Sequence, residues 1–160
     1  MAEKIGKYLI ALLPDDKTTG MVEDLRSEYL NIIEIPKTPI HLTLKESFWT
    51  SGIKGLIAEL ESAYQNTSSL DVVIEGYDIF SGNTIVLKAR KTPELQSMHN
   101  TAINISKRFD ERRETYSPKE SLTRQQEAFL KEYNNPYVLK CYNPHITVGR
   151  ILDSVRIGDI

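Results

Sequence analysis

The sequence has little cysteine and no long apolar run. Its one cysteine, Cys141, cannot form a disulfide within the chain, and the first residues lack the apolar stretch of a secretory signal peptide. We therefore expect a cytosolic, cytoplasmic protein. The best candidate for a membrane span, residues 8–13, is ended by Pro14 and Asp15 and is far shorter than the roughly 20 residues that cross a bilayer. No contact with a membrane is expected.

An excess of charge of one sign is also lacking. The 20 lysines and arginines are offset by 22 aspartates and glutamates, which gives a net charge of -2 and an isoelectric point of about 5.9. A protein that coats long nucleic acids through a basic face is therefore not expected, whereas a small anionic substrate at one focused site fits this composition. With 160 residues, of which 40% are hydrophobic, the chain has the size and composition of one ordinary globular domain.

The sequence does contain a regular succession of strand and helix patterns. Alternating or continuous apolar runs rich in β-branched residues predict strands, and apolar residues at 3.6-residue spacing predict helices. The predicted strands cover residues 5–13, 40–47, 70–80, 84–90 and 145–151, with a further extended segment at 137–142. The predicted helices cover residues 17–30, 53–64, 93–109 and 117–134.

Local signals support several of these elements. Gly82 and Asn83 tolerate the left-handed backbone that a tight hairpin needs between the third and fourth strands. Thr92 and Pro93 supply a cap and a first helical residue for the third helix. Residues 117–120 have the form of a capping box and predict the start of the fourth helix.

The predicted strands follow one another as hairpins or across spacers of variable length. This order favours an α+β fold with antiparallel sheets over a doubly wound parallel sheet. Strands and helices also recur loosely in two parts of the chain, as two lobes related by a pseudo-two-fold axis would require. We therefore expect a single domain over residues 1–160, made of two intertwined lobes.

Histidine is scarce, but two of the three histidines stand in the same pattern. Each is followed by threonine two positions later, and the positions between and after them are apolar. With twelve threonines in 160 residues, this spacing arises by chance for about 7% of histidines. Side chains alternate across a strand, so each His and Thr share one face while the apolar residues share the other. If the two strands are neighbours, both pairs line one site: His41 with Thr43, and His145 with Thr147.

These side chains suit acid–base chemistry at a phosphate. Cleavage of a cyclic phosphodiester needs a base that takes a proton from water and an acid that gives a proton to the departing oxygen. Histidine, with an unperturbed pKa of about 6.5, fills either role near neutral pH, and threonine hydroxyls can hydrogen-bond to the oxygens where charge accumulates. A zinc site needs three or four ligands, and neither motif has a carboxylate or cysteine at ligand spacing on the same face. We expect no metal and no other cofactor.

Two segments carry a resemblance to a known family. IHLTL at residues 40–44 and PHITVGR at residues 144–150 resemble the paired signatures of the 2H phosphoesterase superfamily, of the LigT-like type. The order of predicted elements extends the resemblance over nearly the whole chain. The helix predicted at residues 117–134 is additional to the family pattern, so the entrance to the site can differ from that of relatives.

The resemblance implies a fold, an activity and roles. The implied fold is a bilobal α+β structure with two antiparallel sheets lining a central cleft and helices outside. The implied activity is on 2′,3′-cyclic phosphates, 2′-5′ linkages or related cyclic nucleotides. By the motif match, His41 and His145 are the acid–base pair, and Thr43 and Thr147 hold the phosphate.

Three further side chains are candidates for contacts with a substrate. Lys45 has the same strand parity as His41 and Thr43 and would add positive charge, although a solvated lysine at the end of a strand is an equal alternative. Tyr142 and Tyr8 can stack on a base, although most aromatic residues fill a core.

Two other residues stand out but are not expected in the site. Strand alternation places Arg150 on the face of Ile146 and Val148, away from His145. His99 lies in a predicted helix without a partner motif and is predicted to be a histidine of the helix surface or boundary.

The sequence therefore favours a metal-independent phosphodiesterase that acts on a nucleotide or an RNA terminus. One alternative is a nucleotide- or RNA-binding module with the same cleft and no useful turnover. Another is the joining of RNA ends through a 2′-5′ linkage. The near-equivalence of the two motifs leaves open which histidine is the base, and the sequence indicates neither a protein partner nor an oligomeric state.

Overall fold

Strands and helices alternate along the chain in the computed structural model, which describes residues 4–111, 114–118 and 120–152. Within these residues, six strands and four α-helices form an α+β fold with antiparallel strand pairing, which confirms the predicted fold class. The strands are β1 (Gly6–Leu12), β2 (Ile33–Glu34), β3 (Leu42–Thr50), β4 (Ile74–Phe80), β5 (Thr84–Ala89) and β6 (His145–Ile151). The helices are α1 (Asp16–Glu28), α2 (Ile53–Tyr64), α3 (Pro93–Ser106) and α4 (Arg124–Tyr133). None of these four has the length and apolarity needed to cross a membrane.

The chain divides into two compact units, each built from three separate stretches of sequence. The first unit contains the chain up to Ala11, Thr43–Val72 and Lys91–Asn143. The second unit contains Leu12–Leu42, Val73–Arg90 and the chain from Pro144 onwards. That the whole chain acts as one domain of two lobes stays a prediction.

The second unit contains the β4–β5 hairpin and the strand of the second His-x-Thr motif. β4 pairs with β5 and β5 pairs with β6, with Leu87 opposite Ile146. On the other side of β6, the first residue of β3, Leu42, is also opposite Ile146, and β2 pairs farther along at Ile151. The hydrogen-bonded order is β1-β3-β6-β5-β4, with β2 also on β6. α1 contacts β6, and the core of this unit contains Val22, Ile33, Val86, Ile146, Val148 and Ile151.

The first unit contains most of β3, with β1 beside it, and the helices α2 and α3, which contact each other. Its buried apolar side chains come from β3, α2 and α3. The core of this unit therefore contains the face of β3 that carries Leu44 and Phe48, together with side chains of the two helices. These buried side chains include Leu44, Phe48, Leu56, Leu95, Ala102 and Ile103. The opposite face of β3, which carries Thr43, does not contribute these apolar side chains to the core.

Several boundaries follow directly from local chemistry. The carboxylate of Asp15 accepts a hydrogen bond from the first turn of α1, and Thr92 caps α3 ahead of Pro93 in the same way. In the β4–β5 turn, Gly82 has φ 81° and Asn83 has φ 59°, which is the left-handed backbone that the sequence predicted there.

The start of α4 differs from the prediction. The helix begins at Arg124 and not near residue 117, because Thr123 and Gln126 form the capping box with both reciprocal hydrogen bonds present. Lys119, inside the predicted capping segment, lies outside the described residues. Two similar capping patterns occur in succession here, and the second one directly precedes an uninterrupted run of helix-forming residues.

Two further predictions were wrong. The segment 137–142, expected to be extended, contains a short 3₁₀ turn at Leu139–Cys141, with Leu139 at φ 52°. β1, expected to be covered on both faces, has only Ile10 buried. In both cases, residues that favour β-strands predicted an extended or buried strand. Tertiary contacts, which such a composition does not indicate, determine the backbone conformation of the first segment and the burial of the second.

Candidate active site

The middle residues of the two His-x-Thr motifs are partners in the sheet. Leu42 is opposite Ile146 in the antiparallel β3–β6 pair, and both side chains are 3% exposed. In an antiparallel pair, the residue before Leu42 faces the residue after Ile146, so the register brings His41 beside Thr147. Both of these residues are half-buried and lie on the face opposite to the buried Leu42 and Ile146. The structure therefore brings together predicted site residues that are about 100 positions apart in the sequence.

His41 is held by the backbone just before its strand. Its Nδ1 lies 2.6 Å from the carbonyl oxygen of Pro39. A carbonyl oxygen only accepts hydrogen bonds, so Nδ1 carries the proton and donates it. This leaves Nε2 as the atom that can take or give a proton, because a neutral ring then has its lone pair at Nε2.

His145 is the first residue of β6 and is half-buried. Its ring meets the ring of Phe80 edge to face, with centroids 4.8 Å apart and planes at 67°. It also stands opposite Lys88 of β5, and directly opposite residues of an antiparallel pair share a face. The ammonium group of Lys88 is 3.7 Å from a carboxylate oxygen of Asp78. Sequence reasoning missed Phe80 and Lys88, because only the register of the hairpin brings them to His145.

A β-bulge interrupts β6 immediately after the second motif. Ile85 and Val86 are consecutive on β5 but pair with Gly149 and Thr147, so Val148 is an extra residue on β6. The bulge lies between Ile146, where β3 pairs with β6, and Arg150, where β2 does. Among the described residues, no strand pairs with Thr147 and Val148 on this side of β6.

The guanidinium group of Arg26, from α1, fills that gap. Its Nε donates to the carbonyl oxygen of Val148 over 2.9 Å, and its Nη2 donates to that of Thr147 over 3.2 Å. Partial burial lowers the pKa of Arg26, although an arginine stays charged in a protein. Arg26 therefore supplies the hydrogen bonds that a neighbouring strand would supply and holds the backbone of the second motif.

The prediction that Arg150 points away from His145 was wrong because of the bulge. The prediction assumed that side chains alternate strictly along β6, but the extra residue Val148 shifts the later side chains to the other face. Arg150 stands opposite Thr84, which is on the same face of β5 as Lys88, and Lys88 is opposite His145. Arg150 is thus an exposed residue on the face of the second motif.

Gly149, which precedes this arginine, allows β2 to approach β6. A Cβ atom at this position would lie 2.8 Å from Cδ1 of Ile33 and 3.1 Å from the backbone oxygen of Glu34. The two residues after the motif therefore have different roles. Gly149 permits close packing of β2 against β6, and Arg150 places a positive charge on the same face as His145.

In the first unit, two side chains hold the backbone of the first motif. Tyr142 donates from its hydroxyl to the carbonyl oxygen of Thr43 over 2.8 Å, and His99 donates from Nδ1 to that of Leu44 over 2.6 Å. The rings of Tyr142 and His99 are stacked, with centroids 3.8 Å apart. Burial raises the pKa of Tyr142, which keeps its hydroxyl protonated as a donor. Both motifs thus have the carbonyl of their threonine and of the next residue bound by side chains.

The prediction that His99 lies at the helix surface was wrong. This side chain is 1% exposed, and its Nε2 accepts a hydrogen bond of 2.8 Å from the backbone N–H of Leu139. Because Nε2 accepts and Nδ1 donates, the ring is the neutral Nδ1–H tautomer. Burial lowers its pKa to about 4, an effect that the nearby Lys91 and Lys45 reinforce. His99 therefore positions the backbone of the first motif at Leu44. The helical spacing of the sequence did not indicate this role.

The remaining predicted residues also lie in the first unit. Lys45 is 6% exposed, donates to the carbonyl oxygen of Glu46 over 2.8 Å and has its Nζ 4.9 Å from the ring centroid of Phe48. Tyr142 is 7% exposed and one face of its ring is covered by His99. Tyr8 is half-buried on β1. Direct substrate contacts by these three residues stay predictions.

Over the described part of the chain, no group of three or more His, Cys, Asp and Glu side chains is arranged to hold a metal ion.

Comparison with known families covers both motifs. The model of the 2′-5′ RNA ligase superfamily matches residues 13–156 of the 160. No match was found among curated proteins. Since the family match extends over most of the chain and includes both His-x-Thr strands, the resemblance to 2H phosphoesterases is confirmed, and the chain belongs to the 2′-5′ RNA ligase superfamily.

Proposed function

We propose that this protein is a phosphodiesterase that hydrolyses a ribonucleotide phosphodiester by acid–base catalysis between His41 and His145. The substrate classes are a 2′,3′-cyclic phosphate, a cyclic nucleotide or a 2′-5′-linked oligonucleotide. The observation that carries the proposal is the Leu42–Ile146 pair, because its register aligns the two motifs with their polar residues on one face.

For a 2′,3′-cyclic phosphate, the two histidines supply both proton transfers that hydrolysis needs. The neutral histidine takes a proton from water as the water oxygen forms a bond to phosphorus. The protonated histidine gives its proton to the 2′ or 3′ oxygen as the bond from that oxygen to phosphorus breaks. The product is an open phosphate monoester with a free hydroxyl, and proton exchange with solvent restores both rings.

The geometry of His41 supports either role. With Nδ1 donating to Pro39, the ring acts through Nε2, as a base when neutral and as an acid when protonated. We leave the two roles open between His41 and His145, since the orientation of the substrate decides them. Thr43 and Thr147 would donate hydroxyl hydrogen bonds to the non-bridging oxygens, where negative charge increases in the transition state.

Two cations on the second unit support an anionic substrate. Lys88 is opposite His145, and the bulge brings Arg150 to the same face. Lys88 is partly exposed and its ion pair with Asp78 is at the surface, so the pair costs little to rearrange when a phosphate binds. The proposed chemistry uses no metal and no cofactor, and a cytosolic location stays a prediction.

The test of this proposal is product analysis with a substrate panel in excess EDTA. The panel contains 2′,3′-cyclic mononucleotides, 2′-5′ oligoadenylates and cyclic dinucleotides, and chromatography identifies a 2′- or 3′-phosphate product. We expect turnover of at least one class, with loss in Thr43→Val and Thr147→Val and retention in Thr67→Val, a threonine exposed outside both motifs. Binding without turnover of any substrate would contradict the proposal and leave a nucleotide-binding module.

A second candidate function is the joining of RNA ends, which the description of the matched superfamily favours. Joining is the same displacement with a 5′-hydroxyl in place of water: the 5′ oxygen forms a bond to phosphorus while the bond from phosphorus to the 3′ oxygen breaks, which leaves a 2′-5′ linkage and a free 3′-hydroxyl. The net charge of -2 favours the hydrolase, because two RNA ends would need a larger basic surface. Incubation with RNA halves that end in a 2′,3′-cyclic phosphate and a 5′-hydroxyl distinguishes the two, since only a ligase forms a longer product.

A further inference from the structure

We propose that the first unit contains a nucleobase-binding cavity on the strand that follows the first motif. The cavity has a volume of about 500 Å³, within the range of small-molecule sites. Its lining comes from Lys7 of β1, from β3 beyond Thr43, from the segment before α4, and from the end of α4 and the residues that follow it. The proposal deepens the proposed function and rests on it, because a cavity for a nucleobase presupposes a nucleotide as the substrate.

Five of the residues that line the cavity are aromatic. Aromatic rings stack on any nucleobase, because every base has a π face. The rings come from three different parts of the chain and line one space. They are Phe48, Trp49, Tyr116, Tyr133 and Tyr137.

Hydrogen bonds of Asn134 attach one wall of the cavity to α4. Asn134 ends α4 in the left-handed conformation, with φ 54°. Its side chain accepts from the backbone N–H of Tyr116 over 2.9 Å and donates to the carbonyl oxygen of Glu114 over 2.7 Å. The wall formed by residues 114–116 is therefore attached to the end of α4.

The charges of the lining favour an uncharged planar group over a phosphate. Two lysines, Lys7 and Lys45, are outnumbered by three carboxylates, those of Glu46, Asp110 and Glu114. Lys7 is paired with Glu114 over 2.7 Å, and this contact lowers the pKa of Glu114 and keeps it ionised. An anion gains little from such a lining, whereas the polar edges of a base find donors and acceptors.

The only tryptophan of the chain makes the proposal directly measurable. Trp49 lines the cavity, so the intrinsic tryptophan fluorescence of the protein has a single source there. The experiment titrates nucleosides, which lack phosphate, into the His41→Ala/His145→Ala variant of the full chain. Fluorescence quenching by stacking is then read without turnover.

We expect saturable quenching by nucleosides and none by inorganic phosphate. Tyr116→Ala should raise the dissociation constant by about tenfold, the effect of losing one stacking ring. Tyr77→Ala, which removes a tyrosine that is 78% exposed in the second unit, should leave it unchanged. Absence of saturable quenching, or quenching that Tyr116→Ala does not weaken, would overturn the proposal.

The two proposals fail in different ways. If cyclic phosphates are hydrolysed but nucleosides do not quench Trp49, the cavity proposal is wrong and the phosphodiesterase proposal stands. If nucleosides quench Trp49 but no phosphodiester is cleaved, the cavity binds a base and the proposed reaction is wrong.

Discussion

Leu42 and Ile146 face each other in the β3–β6 pair, and each is the middle residue of a His-x-Thr motif. Both side chains are buried, which fixes the register, because a slip by one residue would turn them out of the core. The same register determines where the polar residues of each motif point. Apolar packing in the core thus sets the geometry of the candidate site.

Replacing Arg26 should impair the second motif without removing any group that touches substrate. Arg26→Ala leaves the carbonyl oxygens of Thr147 and Val148 without their donors, at a cost of about 1–3 kcal/mol in the free energy of unfolding. We expect kcat to fall more than KM rises, and Arg26→Lys to recover part of the loss, since lysine supplies a single donor position.

Urea unfolding and steady-state kinetics test this prediction. Arg90→Ala is the matched control, because it removes an arginine whose ion pair with Glu75 is at the surface, and a change of less than about 1 kcal/mol is expected. Equal effects of the Arg26 and Arg90 variants on kcat would contradict a positioning role for Arg26.

Tyr142→Phe should show the corresponding effect at the first motif. The variant keeps the ring stacked on His99 but removes the hydroxyl that donates to the carbonyl oxygen of Thr43. We expect a loss of about 1 kcal/mol in the free energy of unfolding and a lower kcat. Tyr77→Phe at an exposed position is the control. A variant with unchanged kcat would mean that this hydrogen bond does not position Thr43.

His99 should make the protein less stable in acid. Its pKa is about 4 when folded and about 6.5 when unfolded, so the unfolded chain binds the proton first as the pH falls. The stabilisation is complete above pH 6.5 and is lost between pH 6.5 and 4, with a slope of up to about 1.4 kcal/mol per pH unit. Urea midpoints across this range should fall less steeply in His99→Phe than in the native chain.

The same claim can be read from the three imidazole signals in an NMR pH titration. One signal should keep its neutral position down to about pH 5, and it should be the signal that is missing in His99→Phe. If the signal that is missing in His99→Phe instead titrates near the ordinary histidine value of about 6.5, His99 is not buried as a neutral ring.

Two glycines should respond in opposite directions to the same substitution. At Gly149, an added Cβ would meet Ile33 and the backbone of Glu34, so Gly149→Ala should destabilise the fold by about 1–3 kcal/mol. At Gly20, within α1, such a Cβ would have no described atom within 4 Å outside its chain neighbours and the backbone of its own helix, and Gly20→Ala should stabilise the fold by about 0.5–1 kcal/mol. Thermal unfolding of the two variants compares them directly, and a stable Gly149→Ala protein would contradict the close approach of β2.

Local sequence patterns predicted most elements and the shared face of His and Thr within each motif. Thr92 with Pro93, and Gly82 with Asn83, have chemistry that acts within a few residues, so their roles were readable from the sequence. The family resemblance was also readable, because both His-x-Thr patterns are short and contiguous.

The residues that support the site were not readable, because their partners are distant in sequence. The extra residue Val148 reverses the orientation of Arg150, and strict alternation along the strand did not allow for a bulge there. Arg26 binds a strand more than 120 residues away, and His99 is buried by contacts with β3 and with Leu139. Such contacts depend on tertiary packing and not on periodicity.

The most direct test of the central claim is kcat/KM for His41→Ala, His145→Ala and the double variant, measured in excess EDTA on the substrate selected from the panel. Because acid and base act in one step, each single variant should lose at least about 10²-fold, and the double variant should lose little more than the worse single one. Turnover that requires added metal, or that persists in either single variant, would contradict catalysis by the two histidines.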